Sequence, residues 1–341
     1  MEAISLLVPG RGLRNSKLPE FAYQEDGHNS GDWAIAAKIK NHKGHCDVGT
    51  GFNFHTKNGG RNVKRRIVKI NGDIAQNQTS LSDVLSAYWL TPQMDRLFQD
   101  GPSSRRRFLD RMVFGWDPAH AGRLSGYENA MHQRMKLLRN DHAIDKTWLS
   151  SLEEIMATKG IAIAAARLDM AVRLAAAAKD GWGPFPGADV DVQGQLETWL
   201  EEGPALEAED KFRTSLIVGR AEDARTGRTN VGPQQSNLVV RHLVKNQDAV
   251  LCSTGEQKAL LIALIIANVR TRAIEEGALP ILLLDEVAAH LDEERRNTLF
   301  ELLLDLGGQV WLTGTEENLF KRLRNRAYFF KIINGKVEHL S

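Results

Sequence analysis

Two adjacent carboxylates, Asp285 and Glu286, directly follow the apolar run Ile281–Leu284. A short uninterrupted apolar run is typical of a strand buried on both faces of a parallel sheet, and such sheets carry their chemistry at the carboxyl ends of the strands. Two ionised carboxylates there repel each other and lose hydration unless a cation or hydrogen-bond donors compensate them. The pattern therefore predicts that Asp285 binds Mg²⁺ and that Glu286 polarises an attacking water. The alternative is that the pair only begins a solvated loop.

A second candidate site lies upstream, where Ser253, Gly255, Glu256 and Gln257 open an apolar run that continues to Val269. Ser253 and Glu256 have the spacing of a capping box, which predicts an ordinary capped helix. The same turn suits a phosphate group, because the free N–H groups and the positive end of the helix dipole both favour anions. The two interpretations are compatible.

The order of these two motifs resembles that of ABC-type ATPases. A signature-like turn opens a helix, and the next apolar strand ends in a Walker B-like Asp-Glu pair. The resemblance implies that residues 253–257 of one subunit cap a nucleotide held by the other subunit of a dimer. The stretch ending at Asp292 resembles the D-loop of the same class, which makes Asp292 a candidate nucleotide ligand as well as the N-cap of the following helix.

Composition places the chain among ordinary globular proteins. Its 341 residues predict two domains, or one domain with an insertion, and the 42% of hydrophobic residues supply a core. No apolar stretch is long and charge-free enough to span a bilayer, and Glu2 stands where a secretory signal would carry basic residues, so we expect a cytoplasmic protein. Two distant cysteines argue against a disulfide framework or a zinc site.

The formal net charge of +1 gives no global attraction to nucleic acid, so DNA binding would need local basic patches. One candidate patch contains Lys64, Arg65 and Arg66; a solvated strand face is the simpler interpretation of it. The other contains Arg105, Arg106 and Arg107 at a predicted helix start. Because these three cations oppose the helix dipole, we expect them to face an anion, of which a carboxylate is the simplest.

Periodicity predicts the elements that position these residues. Alternating residues from Trp33 to Ile70 predict antiparallel strands, and helical patterns continue from Leu81 to about Glu202. A helix is expected from Glu293 to Gly307, followed by a buried strand from Gln309 to Thr313 and a terminal hairpin around Asn334-Gly335.

Across the whole chain, a series of motifs resembles the RecF family of DNA replication and repair proteins, in a form similar to alphaproteobacterial members. The motifs are, in order, MEAISLLVPGRGLR, WLTPQMDRLF, RRRFLDR, DPAH, CSTGEQKALL, LLLDEVAAHLD and QVWLTGT.

The resemblance implies an α/β fold, an ABC-type ATPase head of mixed sheet and flanking helices with an inserted helical lobe. The expected domains are residues 1–90 and 206–341 for the ATPase lobe and 91–205 for the helical lobe. It also implies a cytoplasmic ATPase that uses ATP and Mg²⁺, dimerises on ATP, binds DNA at single-strand gaps and junctions, and works with RecR and RecO to load RecA. By the same resemblance Arg14 is a candidate nucleotide ligand, with a surface arginine as the alternative.

Three features depart from this pattern or from the wider ATPase class. The 341 residues contain no G-x-x-x-x-G-K-[ST] motif, so we expect the N-terminal strand and the P-loop to be missing and the chain to be a poor ATPase. The family's GPHRSD stretch is replaced by GPQQSN at residues 232–237, which puts its role in doubt. Gly314 and Thr315 stand where many ABC ATPases have a histidine, as is usual in the RecF family.

The leading hypothesis is therefore a RecF-like DNA-repair ATPase whose sequence is truncated. The alternatives are a non-hydrolysing DNA-binding or scaffold protein, and another ABC-type ATPase such as one serving phage defence or transport.

Overall fold

The computed structural model describes the chain except residues 23, 26–27, 30, 42, 53–56, 59–60, 63–65, 140–144, 278, 334–335 and 341. The helices of the described part are α1 Glu2–Ser5, α2 Pro102–Trp116, α3 His120–Leu138, α4 Lys146–Ala178, α5 Gln195–Glu202, α6 Ala205–Val218, α7 Arg220–Thr226, α8 Thr254–Glu276 and α9 Glu293–Leu306. The strands are β1 Gln24–Glu25, β2 His28–Asn29, β3 Trp33–Asn41, β4 Gly44–Phe52, β5 Lys57–Asn58, β6 Arg61–Asn62, β7 Arg66–Ile70, β8 Asp73–Ile74, β9 Ala87–Leu90, β10 Ala188–Gln193, β11 Asn237–His242, β12 Gln247–Asp248, β13 Ile281–Leu284, β14 Val310–Leu312, β15 Phe329–Ile333 and β16 Lys336–Leu340. Within the described residues, no helix is long and apolar enough to cross a membrane.

A parallel sheet of the order β14-β13-β9 carries the predicted carboxylate pair. β13 lies in the middle, with Leu283 in register with Trp89 on one side and Trp311 on the other. The run Leu282–Leu284 is buried, which confirms the predicted strand. Because all three strands point the same way, their carboxyl ends meet at one edge.

The two faces of this sheet are covered by different elements. On one face Leu283 and Trp89 pack with Val8 and Leu13, which follow α1. On the other face Leu282 and Leu284 pack with Ile262 of α8 and Leu299 of α9. Burial on both faces explains why the strand is apolar at consecutive positions.

A separate antiparallel sheet of the order β3-β4-β7-β8 forms the predicted set of strands between Trp33 and Ile70. Gly44 and the Asn71-Gly72 pair make its turns at positive φ, as expected. Of the expected turn at residues 58–60, residues 59 and 60 lie outside the described residues. The terminal hairpin is confirmed as β15 and β16, whereas its turn residues Asn334 and Gly335 lie outside the described part.

The long helices α3 and α4 organise the helical lobe, with a core around Met156, Ile163 and Phe212. This core includes Ala208 and Leu216 of α6, although the sequence analysis assigns α6 to the final ATPase segment. Helix α7 also packs against α3 and α6. We therefore propose that the helical lobe extends to Thr226.

Strand β10 was missed in the sequence analysis. It lies inside the predicted helical segment and pairs antiparallel with β11, for example Val190 with Val240. Its residues alternate between buried and exposed, and the alternating sequence Ala-Asp-Val-Asp-Val-Gln carried that signal. Because β10 precedes α5 and β11 follows α7, the pairing brings together the two ends of the segment that contains these three helices.

A buried cluster of charges ties the helical lobe together around Arg134, which is fully buried. Its guanidinium donates to Glu153 at 3.0 Å, to Asp223 at 2.6 Å and to the carbonyl of Leu216 at 2.6 Å. Glu153 in turn accepts a hydrogen bond from Nε of Arg220 at 3.0 Å. These contacts connect α3, α4, α6 and α7, so one side chain spans the lobe.

Replacing Arg134 with leucine is expected to lower the free energy of unfolding by about 3–5 kcal/mol, because Asp223 would keep a buried charge without its cation. The control is Lys211→Gln, which removes an exposed 3.5 Å pair with Glu202 and should cost less than about 1 kcal/mol. Urea unfolding of the three proteins measures both values. Equal destabilisation by the two changes would show that the buried cluster contributes no more to stability than an exposed ion pair does.

Candidate nucleotide-binding site

Asp285 lies at the carboxyl edge of the parallel sheet, immediately after β13. Its backbone N–H donates to the carbonyl of Leu90 at 2.9 Å, which extends the pairing with β9 by one step. The hydroxyl of Thr313, the residue that follows β14, donates to Oδ1 of Asp285 at 2.7 Å. The carboxylate is therefore oriented from the neighbouring strand and half-buried.

Glu286 adopts a left-handed backbone conformation with φ of +54°. Its N–H donates to Oγ1 of Thr313 at 3.1 Å, so one hydroxyl holds both residues of the carboxylate pair. A left-handed conformation costs a residue with a Cβ roughly 1–2 kcal/mol, and such strain clusters at functional sites. This left-handed residue comes two positions after the last residue of β13, so the chain leaves the sheet here.

Thr313 is a site residue that the sequence analysis passed over. The sequence predicts a strand from Gln309 to Thr313, and its comparison with ABC ATPases concerns only Gly314 and Thr315, which follow that strand. The available signal was register: parallel strands that end together place the residue after β14 beside the residue after β13.

The second predicted site residue, Ser253, caps helix α8 as expected. Its Oγ accepts a hydrogen bond from the N–H of Glu256 at 3.4 Å, and Glu256 accepts one from the N–H of Ser253 at 3.0 Å. Lys245 forms an ion pair with Glu256 and, with the backbone bond from Ser253, lowers the pKa of Glu256 to about 2. The capping box is confirmed, and Gly255 lies exposed on the first turn.

Gln257 has a different position from the one expected of a nucleotide ligand. It is buried, and its side-chain amide donates to the carbonyl of Cys252 at 3.0 Å and to that of Val250 at 3.3 Å. The reason is the helix period, which turns this residue toward the core while Ser253 and Gly255 stay outside. Gln257 thus holds the loop that precedes the helix.

Two cations connect the first turn of α8 to the rest of the site, and neither was predicted. Lys258 reaches Asp95, beyond the end of β9, at 2.9 Å. Arg295 of α9 donates to the carbonyl of Gly255 at 3.3 Å. The side chain of Asp292 accepts from the N–H of Arg295 at 2.8 Å, which confirms Asp292 as the N-cap of α9. The signature-like turn is thereby fixed to both flanking segments.

Among the described residues, no three histidine, cysteine or carboxylate side chains cluster closely enough to hold a metal ion. Asp285 and the hydroxyl of Thr313 supply oxygen atoms, the ligand type that Mg²⁺ prefers. Mg²⁺ is usually held by one or two protein oxygens together with substrate phosphates and water. The residues present therefore fit a metal that arrives with a nucleotide.

The chain is 44% identical over 340 residues to the DNA replication and repair protein RecF of Mesorhizobium japonicum, covering 99% of this chain and 87% of that protein. It is 46% identical over 341 residues to the RecF protein of Brucella suis, covering 99% of this chain and 86% of the relative. The chain belongs to the RecF family of DNA replication and repair proteins.

A structural comparison confirms the predicted fold class. A solved structure described as the recombination mediator protein RecF-ATPrS in the RecFOR pathway superposes with a TM-score of 0.84 at 21% sequence identity, covering all of this chain and 88% of the other. The corresponding RecF-ATP structure gives a TM-score of 0.81 at 20% identity. No family model matches the chain. The fold is an ABC-type ATPase head with an inserted helical lobe.

The candidate nucleotide ligand Arg14 lies on the surface. Its Nε is 3.7 Å from a carboxylate oxygen of Glu2, and its backbone N–H donates to the same side chain at 3.3 Å. Among the described residues, no contact links Arg14 to the carboxylate pair or to the signature-like turn. Its role as a nucleotide ligand stays a prediction.

The basic residues proposed for DNA have three different positions. Lys64 and Arg65 lie outside the described residues. Arg66, expected on a solvated strand face or a DNA-contacting ridge, is instead buried and donates to Thr50 at 2.7 Å and to the carbonyl of Gly10 at 2.8 Å. Burial lowers its pKa to about 10. The expected exposed position of Arg66 was therefore wrong. Its side chain ties β7 to the segment after α1.

The three arginines at the start of α2 also separate. Arg105 donates to Oδ1 of Asn237 at 2.9 Å, and Arg106 donates to the carbonyl of Ser236 at 2.8 Å. Burial lowers the pKa of both, and nearby Arg167 lowers that of Arg106 further. Arg107 is exposed. The expected anionic partner is thus replaced by carbonyl and amide oxygens for the first two.

Those oxygens belong to residues 232–237, where GPQQSN replaces the family's GPHRSD. Gln234 accepts a hydrogen bond from Tyr127 at 2.5 Å and donates to the carbonyl of Thr229 at 3.0 Å. Ser236 donates to Glu197 at 2.5 Å, and Arg167 donates to the carbonyl of Pro233 at 2.5 Å. The segment therefore works as a hydrogen-bonded junction between α2, α3, α4 and β11.

Changing Thr313 to valine should remove both hydrogen bonds to the carboxylate pair, which we expect to lower the free energy of unfolding by about 1 kcal/mol. Thr313→Ser keeps the hydroxyl and serves as the matched control, with an expected change below about 0.5 kcal/mol. Denaturant unfolding distinguishes the two. A serine variant as unstable as the valine variant would mean that the methyl group matters and the hydroxyl does not.

Proposed function

We propose that this chain is an ATP-binding, DNA-binding protein of recombinational repair, and that the carboxyl edge of β13 is its nucleotide site. The observation that carries the proposal is the carboxylate pair held by the single hydroxyl of Thr313 at the end of a buried parallel strand. A pair of carboxylates in that position is suited to Mg²⁺ and to a water molecule. Membership of the RecF family supports the assignment to DNA repair.

Asp285 and Glu286 have distinct proposed roles. Asp285, oriented by Thr313, would hold Mg²⁺, which neutralises the charge that develops on the transferred phosphoryl group. Glu286, the next residue, would accept hydrogen bonds from the attacking water and position it.

The signature-like turn supports a dimer that closes on the nucleotide. Ser253 and Gly255 are exposed at the N-terminus of a long helix, where N–H groups favour phosphate. Beside them Val250 is 53% exposed and Leu251 is 68% exposed. Apolar side chains next to an anion-binding turn suit a surface that a second subunit covers.

The phosphate contacts in this proposal are incomplete within the 341 residues, since they contain no G-x-x-x-x-G-K-[ST] motif. In P-loop proteins that motif supplies backbone N–H groups, a lysine and a hydroxyl to the phosphates. The chain spans 87% of the length of its Mesorhizobium relative. Tests of nucleotide chemistry therefore use a version to which a P-loop segment is joined ahead of Met1.

DNA binding is proposed to depend on local cations rather than on net charge. Arg107 is exposed on the first turns of α2 and is available to a phosphate. Lys64 and Arg65 remain candidates from the sequence. Gapped DNA, RecO and RecR are the partners proposed from the family's pathway, with RecA loading as the outcome and the cytoplasm as the compartment.

A non-hydrolysing DNA-binding scaffold is the second candidate, since the exposed Arg107 would serve DNA binding without any nucleotide chemistry. The two candidates differ in Mg²⁺–ATP binding by the 341-residue chain. Calorimetry that shows no saturable binding, together with retained DNA binding, supports the scaffold function for this chain. Tight Mg²⁺-dependent binding would require a phosphate site that the sequence does not reveal.

In the version supplied with a P-loop, Glu286→Gln should bind ATP normally and hydrolyse it at least about 100-fold more slowly, because a general base typically contributes 10²–10⁴-fold. Asp285→Asn should instead weaken binding that depends on Mg²⁺. Calorimetry and phosphate release measure the two effects separately. Wild-type turnover by both variants would remove the carboxylate pair from the active site.

In the same version, Ser253→Arg should leave nucleotide binding to the monomer intact and abolish ATP-dependent dimerisation, because a large cation would fill the proposed interface. Lys211→Gln, in helix α6 of the helical lobe, is the control and should dimerise normally. Analytical ultracentrifugation with and without ATP gives the readout. If Ser253→Arg dimerises at the same ATP concentration as the wild type, this turn has no signature role.

A further inference from the structure

A pocket of about 90 Å³ lies away from the candidate nucleotide site, between the loop that follows α1, the strand β9 and the second half of α2. Its wall contains none of the residues proposed for nucleotide binding. The polar side chains of the wall belong to Arg11, Asn15, Ser82, Ser86 and Arg111, together with the aromatic residues Tyr88 and Trp89.

The side chain of Arg111 is the central feature of this pocket. Its guanidinium carbon lies 3.9 Å from the centroid of the Trp89 ring, a cation–π arrangement. Burial, followed by repulsion from Arg107, lowers the pKa of Arg111 to about 10. Among the described residues, no carboxylate, hydroxyl or carbonyl pairs with it.

The side chain of Arg111 is partly buried, and an arginine that loses part of its hydration is normally paired, because desolvating a cation without compensation is costly. The face of Trp89 compensates part of this charge but accepts none of the guanidinium's directed N–H bonds. The N–H groups of Arg111 thus remain available to a ligand that enters the pocket.

The rest of the wall reinforces the positive character. Arg11 contributes a second cation from an exposed loop, and no aspartate or glutamate lines the pocket. Ser82, Ser86 and Asn15 add hydroxyl and amide donors. The loop is shaped by left-handed conformations at Gly10, with φ of +113°, and at Asn15, with φ of +54°.

We propose that this pocket binds a phosphate group, with Arg111 as the inner ligand and Arg11 closing over the group from the loop. Two guanidinium groups and neutral donors supply the N–H and O–H groups that phosphate oxygens accept. A volume of about 90 Å³ admits a group of this size. The phosphate is supplied either as the free inorganic ion or as the terminal phosphate of a nucleic-acid strand. The site is independent of the proposed ATPase function.

The experiment titrates inorganic phosphate into the 341-residue chain at constant ionic strength, with calorimetry and tryptophan fluorescence as readouts. We expect saturable binding and a fluorescence change that Trp89→Phe abolishes. Arg111→Gln and Arg11→Gln should each weaken binding at least tenfold, whereas Arg96→Gln, an exposed arginine outside the pocket, should bind as the wild type does. If Arg111→Gln fails to fold by circular dichroism, Arg11→Gln on the exposed loop decides the test.

A second arm identifies the source of the phosphate. A short single strand with a 5′-phosphate is compared with the same strand carrying a 5′-hydroxyl. Stronger binding of the phosphorylated strand that depends on Arg111 and is displaced by inorganic phosphate indicates a strand end, and binding of inorganic phosphate alone indicates the free ion. The proposal is overturned if neither probe binds saturably, or if both arginine variants bind as tightly as the wild type.

Discussion

The burial of β13 on both faces is the constraint on which the rest of the molecule depends. Its two neighbours pair its edges by hydrogen bonds, and the apolar side chains on both of its faces need partners from elsewhere in the chain. The segment after α1 covers one face and helices α8 and α9 cover the other. The carboxylates at the end of this strand are held in place because the strand itself cannot shift without exposing Leu282–Leu284.

The hydroxyl of Thr313 converts this rigid strand end into a site. It donates to Asp285 and accepts from the N–H of Glu286, so the neighbouring strand fixes both members of the pair. The start of α8 is held in a similar way, because Lys258 pairs with Asp95 and Arg295 donates to the carbonyl of Gly255. The carboxylate pair and the start of α8 are thus both held by contacts from neighbouring elements.

Arginine has a structural role throughout the helical lobe. Arg134 joins four helices through buried partners, and Arg167 links Asp110 at 2.8 Å to the carbonyl of Pro233 in the junction segment. Arg105 and Arg106 fasten the start of α2 to the same segment. Arg105, Arg106 and Arg167 contact neutral oxygens of residues 232–237. This junction therefore accommodates the sequence Gly-Pro-Gln-Gln-Ser-Asn by hydrogen bonds rather than by ion pairs. Arg111 differs from them, because it lies over the ring of Trp89 and no described oxygen atom accepts a hydrogen bond from it.

The sequence by itself determined the features that depend on neighbouring residues along the chain. The capping box of Ser253 and Glu256, the N-cap at Asp292 and the buried strand before Asp285 all follow from local spacing, and the structure confirms each. Family motifs likewise identified the fold, since they extend over the whole chain. Only the tertiary structure decided which arginines are buried, that Gln257 faces the core, that β10 pairs with β11, and that Thr313 lies beside Asp285. Those outcomes depend on contacts between residues far apart in sequence, and a charged side chain carries the same letter whether it meets water, an indole ring or a buried carboxylate.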